Sequence, residues 1–192
     1  MAKDNGIVTT SLNPGWIKRR VPNSYADDDL RRIIMFYVIN TPCSDLSSSS
    51  ISLSEYGWDK NVWRNHYLKN KLFDTASLKR QTSFAVAKST TDMKAVCQSI
   101  GMKKKFHDER QNEKIVIYKP PRYNEFMAVF YHIRNALAHG RLAMYPINDG
   151  ADIMFALEDG VKRNGEFQVR SRMLLKKSTL LKWIDIIEQK ET

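Results

Sequence analysis

The sequence predicts a mainly α-helical α+β protein with a small β-hairpin in its C-terminal half, and three observations carry that prediction. Residues 124–144 and 178–189 place apolar side chains at helical spacing. Between them, 152–157 and 167–172 read as two strands separated by the turn formers Gly160, Asn164 and Gly165. Near the start, Asp27, Asp28 and Asp29 stand directly before an apolar stretch, where acidic side chains satisfy the free N–H groups of a helix and oppose its dipole.

Taken in order, residues 1–24 hold Asn13-Pro14-Gly15 and Val21-Pro22-Asn23 with little periodicity, and read as an irregular N-terminal arm. A helix is expected over 26–40, with a buried strand as the competing form, and Thr41-Pro42 ends it. Seven serines fall within 44–54, which makes that stretch the best linker candidate. A short helix is expected over 59–73 and further helices between Ser77 and Ile100. A helical stretch over 91–100, then the polar run to Asn112 and the strand-like 114–118, sketch a winged-helix-like outline. Pro120-Pro121 then breaks the chain. The organisation this suggests is an arm (1–24), a basic segment with its preceding helix and linker (25–122), and a helix–hairpin–helix region (123–192).

Composition narrows the function classes. At 192 residues the chain is one domain or two small ones, and 42% hydrophobic with 27% charged residues is ordinary for a globular protein. The longest apolar run, Ile33–Ile39, falls far short of the roughly 20 residues of a membrane helix. The N-terminus carries no secretory h-region. Cys43 and Cys97 each lack a nearby second cysteine, so no disulfide framework or CxxC site is expected. His66, His107, His132 and His139 show no metal-ligand spacing, and no glycine-rich phosphate loop occurs. These features point to a cytoplasmic protein with no metal and no cofactor.

The net charge of +10 is unevenly placed. Residues 1–59 carry 6 Lys and Arg against 7 Asp and Glu, residues 60–122 carry 15 against 5, and residues 123–192 carry 10 against 9. All of the excess lies in the middle segment, where bases alternate with aromatics: Trp63, Arg64, Tyr67, Lys69, Lys71, Phe73, Lys79 and Arg80. Lys103, Lys104 and Lys105 follow. Cations neutralise phosphates and aromatic faces stack on unpaired bases, so Lys69, Lys71, Lys79, Arg80 and Lys103–Lys105 are candidate RNA contacts. A solvated basic face over an aromatic core would read the same way.

The helix expected from residue 124 carries the chemistry. With Arg134 at zero and about 100° per residue, Phe126, Val129, Phe130, Ile133, Leu137 and Met144 form one apolar stripe. His132, Asn135 and His139 cluster on the opposite side, and Arg134 and Arg141 lie at the stripe's edge. An imidazole of ordinary pKa near 6.5 exchanges protons at neutral pH, and a guanidinium grips phosphate. These parts suffice to activate a ribose 2′-hydroxyl without a metal; DNA lacks that nucleophile.

Arg134-Asn-Ala-Leu-Ala-His139-Gly140 resembles the Rx4–6H motif of HEPN domains and the RN-x3-H boxes of RNA-cleaving CRISPR effectors. The resemblance implies a HEPN-like helical bundle that dimerises so that two motifs face each other, acting as a metal-independent endoribonuclease of toxin–antitoxin or anti-phage systems. It further implies that Arg134 and His139 are the catalytic pair and Asn135 the supporting polar residue. His132 and Arg141, outside the motif, are auxiliary candidates from the face calculation alone. Two other readings stand beside it: a non-catalytic nucleic-acid-binding regulator, and a module that docks a partner such as an antitoxin.

Overall fold

The computed structural model describes residues 16–17, 21, 23–43, 46–59, 66–102, 112–163 and 165–189. Helix α1 (Asp28–Ile34) starts where the acidic triplet puts it: the Asp27 side chain accepts the Leu30 N–H at 2.8 Å. The helix runs on into a π-type turn, Met35–Ile39, closed by Asn40 N–H to the Met35 carbonyl at 2.8 Å. Phe36 and Tyr37 are both buried there. Asp27 also pairs with Lys177 at 3.1 Å. The Leu30 N–H is the main influence holding its carboxyl below the ordinary aspartate value, and Lys177 adds to it against a burial penalty. Stabilisation from a depressed carboxylate is present above the unfolded value and is lost as pH falls through the folded one. Asp27→Ala is therefore expected to cost about 1 kcal/mol at neutral pH. The gap to wild type should narrow as pH falls below about 4. Urea unfolding at pH 7 and pH 3 checks this, and an equal gap at both would contradict it.

The remaining elements are α2 (His66–Thr75), β1 (Phe84–Ala87), α3 (Met93–Ser99), β2 (Lys114–Tyr118), α4 (Glu125–Ala138), β3 (Leu142–Ile147), β4 (Asp152–Arg163), β5 (Glu166–Lys176) and α5 (Lys177–Ile187). The strands form one mixed sheet in the order β1-β2-β5-β4-β3, parallel between β1 and β2 and antiparallel elsewhere. Alternation along each strand sends side chains to opposite faces. Ile115, Ile117, Phe155, Leu157, Met173 and Leu175 join α1, α2, α4 and α5 in the larger core. Val116, Met154, Ala156 and Leu174 join α3 and Trp16 in a smaller one. Aromatic contacts bind the helical layer together: Phe130 stacks on Trp183 at 5.8 Å and on Tyr37 at 5.6 Å. The Tyr37 hydroxyl donates to the Leu180 carbonyl at 3.0 Å, and the Trp183 indole to Leu72 at 2.9 Å.

This corrects the expected fold class. The mainly α, HEPN-like helical bundle is not formed; the protein is α+β, built on a five-stranded mixed sheet with four of its helices layered on one face. The hairpin is not a small appendage, since β4 and β5 run 12 and 11 residues and form the sheet's long central pair. The winged-helix-like outline also fails. Strand β2 pairs with β1 in parallel and with β5 of the C-terminal half, so one sheet draws strands from both sides of residue 122. The serine-rich stretch is packed onto the same core: Leu53 is buried and the Trp58 indole donates to the Ile187 carbonyl at 2.7 Å. Among the described residues no helix is long and apolar enough to cross a membrane.

Candidate active site at the C-terminal end of helix α4

Asn124 caps α4, accepting the Phe126 and Met127 N–H groups at 2.9 Å each. The helix stops at His139, its C-cap, and Gly140 follows with φ +62°. Gly140 N–H bonds the Leu137 carbonyl at 3.1 Å and Arg141 N–H bonds Ala136 at 2.8 Å. This is the paired closure of a Schellman motif, which requires a left-handed residue and so favours glycine. The expected helix therefore ends before residue 144: Met144 lies on β3, and Arg141 lies in the connection to it.

Two polar residues of α4, His132 and Asn135, meet a partner absent from the sequence expectations, Asp159. His132 is fully buried, with Nδ1 2.7 Å from the Asp159 carboxylate and Nε2 2.8 Å from the Tyr118 carbonyl. A carbonyl only accepts, so Nε2 is the donor toward Tyr118. With both ring nitrogens occupied and no exposure, His132 holds Asp159 from inside the core. Asp159 also accepts from the Asn135 amide at 3.4 Å, and the Asn135 oxygen accepts from Arg134 at 3.3 Å. The other terminal nitrogen of Arg134 donates to the Leu46 carbonyl at 2.9 Å. Arg134 Nε is buried with no hydrogen-bond partner among the described residues.

Arg134 and Asn135 thus belong to one hydrogen-bonded chain running from Leu46 to Tyr118, which leaves each terminal guanidinium nitrogen one N–H to spare. His139 is outside it. Its ring is exposed and makes no hydrogen bond among the described residues. Five residues of helix separate Arg134 from His139 by about 7.5 Å along the axis and about 140° around it. Arg141 turns inward as well, donating to the Gly160 carbonyl at 2.7 Å with its guanidinium 4.1 Å from the Phe167 ring centroid. At Gly160 the β4–β5 register shifts, and a Cβ there would meet the Gln168 carbonyl at 2.5 Å. The sequence signal for this bulge is a glycine directly after Glu158-Asp159 at the end of an apolar strand.

The candidate RNA contacts are elsewhere. Lys69, 3.7 Å from Glu125, and Arg80, bonded to the same carboxylate, gather at the first turn of α4. Partial burial pushes the Glu125 carboxyl up, but the two cations outweigh it and hold it below the usual glutamate range. That turn is about 20 Å from His139 along the helix axis. Lys79 is exposed, and Lys71 is half-buried on α2. Lys103, Lys104 and Lys105 lie outside the described residues. The thiols offer no nucleophile: burial pushes Cys43 and Cys97 each up to about 12. Among the described residues no three His, Cys, Asp or Glu side chains gather as a metal would need. No family model, curated protein or solved structure matches this chain.

Proposed function

We propose that this protein is a cytoplasmic, metal-independent endoribonuclease whose reacting groups are Arg134 and His139. One observation carries the reading. Arg134 is fixed through both terminal nitrogens, while five residues on His139 presents an exposed ring with no competing hydrogen bond. In this reading His139 takes the proton of a ribose 2′-hydroxyl, whose oxygen attacks the adjacent phosphorus. The bond from phosphorus to the 5′-oxygen breaks, that oxygen takes up a proton, and the products are a 2′,3′-cyclic phosphate and a 5′-hydroxyl. The spare guanidinium N–H groups of Arg134 offset charge developing on the phosphate oxygens. Because the two side chains stand well apart around one helix, the reading includes a second copy whose His139 faces the first copy's Arg134. The likeness to the HEPN motif adds support from the residue types alone, since the bundle that usually accompanies it is replaced by a sheet.

The test is incubation with labelled RNA in EDTA beside His139→Ala and Arg134→Ala. Each variant is expected to cut about 10²–10⁴-fold more slowly, the share that positioned proton transfer and oxyanion stabilisation supply. Wild-type protein that leaves varied RNAs intact, or variants that cut at the wild-type rate, would sink the assignment. The charge concentrated in residues 60–122 favours a second reading, a non-catalytic nucleic-acid-binding regulator. A regulator would keep salt-sensitive binding to duplex DNA in both motif variants and lose it when Lys103, Lys104 and Lys105 are neutralised.

A further inference from the structure

The C-terminal end of α2, the turn into β1, the start of β2 and the junction between β5 and α5 enclose a cleft of about 490 Å³. That volume lies within the roughly 300–1,000 Å³ of pockets that hold small ligands. Its wall brings together Lys79, Lys114 and Lys176 from three separate stretches of chain, with hydroxyls including those of Ser77 and Thr82 between them. Among the described lining residues there is one carboxylate, Glu113, and no aromatic ring. Glu113 leaves the lysines of this wall in excess by three to one. It is almost fully buried, and its carboxylate accepts the Lys176 backbone N–H at 2.9 Å. Burial pushes that carboxyl up, against the hydrogen bonds from Lys176 and Thr179.

Helix α5 begins at this wall with Lys176 as its N-cap, no side-chain cap bond and no acidic residue in its first turn. The positive end of its dipole faces the Glu113 carboxylate, which takes the Lys176 N–H, and the Asp152 carboxylate, so the lysines are what set the charge of this wall. One N–H of that turn, Ser178, is already taken by Asp152 at 3.3 Å. The ligand must match ammonium and hydroxyl donors with several oxygens and more than one negative charge. The wall offers no flat ring on which a base could stack. A phosphate monoester meets both conditions, and the volume leaves room for whatever carries it.

We infer that this cleft binds the terminal phosphate of a phosphomonoester, on a mononucleotide or at the end of a nucleic-acid strand. The site is independent of the cleavage reading. Lys79 adjoins Arg80, which pairs with the first turn of α4, at the opposite end of that helix from His139.

Calorimetric titration of the full chain carrying His139→Ala keeps strands intact whether or not the wild type cuts. The probes are inorganic phosphate, adenosine 5′-monophosphate, adenosine, and one tetranucleotide with and without a 5′-phosphate. Phosphate-bearing probes are expected to bind and their dephosphorylated forms not to. Tighter binding of the mononucleotide than of the phosphorylated strand assigns the first source, and the reverse order assigns the second. Lys176→Gln and, separately, the exposed Lys79→Gln are expected to weaken binding by about tenfold, the scale of one charge-assisted hydrogen bond. Unchanged circular dichroism shows that each variant is folded. Equal binding of adenosine and its monophosphate, no binding by any phosphate-bearing probe, or variants that bind as wild type would overturn the inference.

Discussion

Asp159→Ala is expected to destabilise the protein by about 2–5 kcal/mol, because it leaves both His132 and Asn135 without a hydrogen-bond partner, each at about 1–3 kcal/mol. Asp159 and His132 are both buried and 2.7 Å apart. Without the carboxylate, Nδ1 of His132 loses its partner, while Nε2 stays committed to the Tyr118 carbonyl. Asn135 loses its acceptor in the same step, and with it the support that reaches Arg134. Asp159→Asn keeps an acceptor oxygen and is expected to cost about 1–2 kcal/mol, near the value of the hydrogen bond alone. Urea unfolding of both variants measures the difference. In a double-mutant cycle with His132→Phe the losses should fall short of additivity, because either change breaks the same contact. A cost under about 1 kcal/mol for Asp159→Ala would show that the pair is not buried as described.

The preceding residue poses the same problem on the other face of the sheet. Glu158 and Arg172 are cross-strand neighbours, both buried, with Nε and the carboxylate 2.9 Å apart. Arg172 also donates to the Met102 carbonyl at 3.1 Å and lies 5.2 Å from the Trp16 ring centroid. Arg172→Ala is expected to cost about 3–5 kcal/mol, since it strips the guanidinium from a buried carboxylate and leaves a cavity beside Trp16. Glu158→Leu with Arg172→Met should recover most of that loss, because the pair's own desolvation penalty offsets much of its attraction. The comparison is made by chemical denaturation at one salt concentration. A double variant less stable than Arg172→Ala alone would mean that the pair is worth more than its shape.

These two carboxylates mark where the sequence stopped being legible. The sequence predicts a strand ending at Leu157, with Gly160, Asn164 and Gly165 as turn formers beyond it, and charged residues are rarely buried. What keeps the strand going to Arg163 is Arg172 on one face and His132 on the other, neither of them local. Strand β1 falls where the sequence predicts helices, between Ser77 and Ile100; its parallel pairing depends on β2, beyond α3. Met144 matched the helical stripe by coincidence, and the left-handed Gly140 takes it out of the helix.

Local chemistry did carry through. The Asp27 cap, the start of α1, the apolar face of α4 and the strand at β2 all rest on hydrogen bonds and periodicities spanning a few residues. So does the motif from Arg134 to His139, whose residue types and spacing the sequence determined by itself. Tertiary structure alone decided that the helices lie on a sheet, that Asp159 buries His132, and that three distant lysines share one cleft. The reason is range. A cap or a helical stripe is settled by neighbours within a turn or two, whereas a strand's partner, a buried charge's counterion and a cavity's wall are settled by residues that only the folded chain brings together.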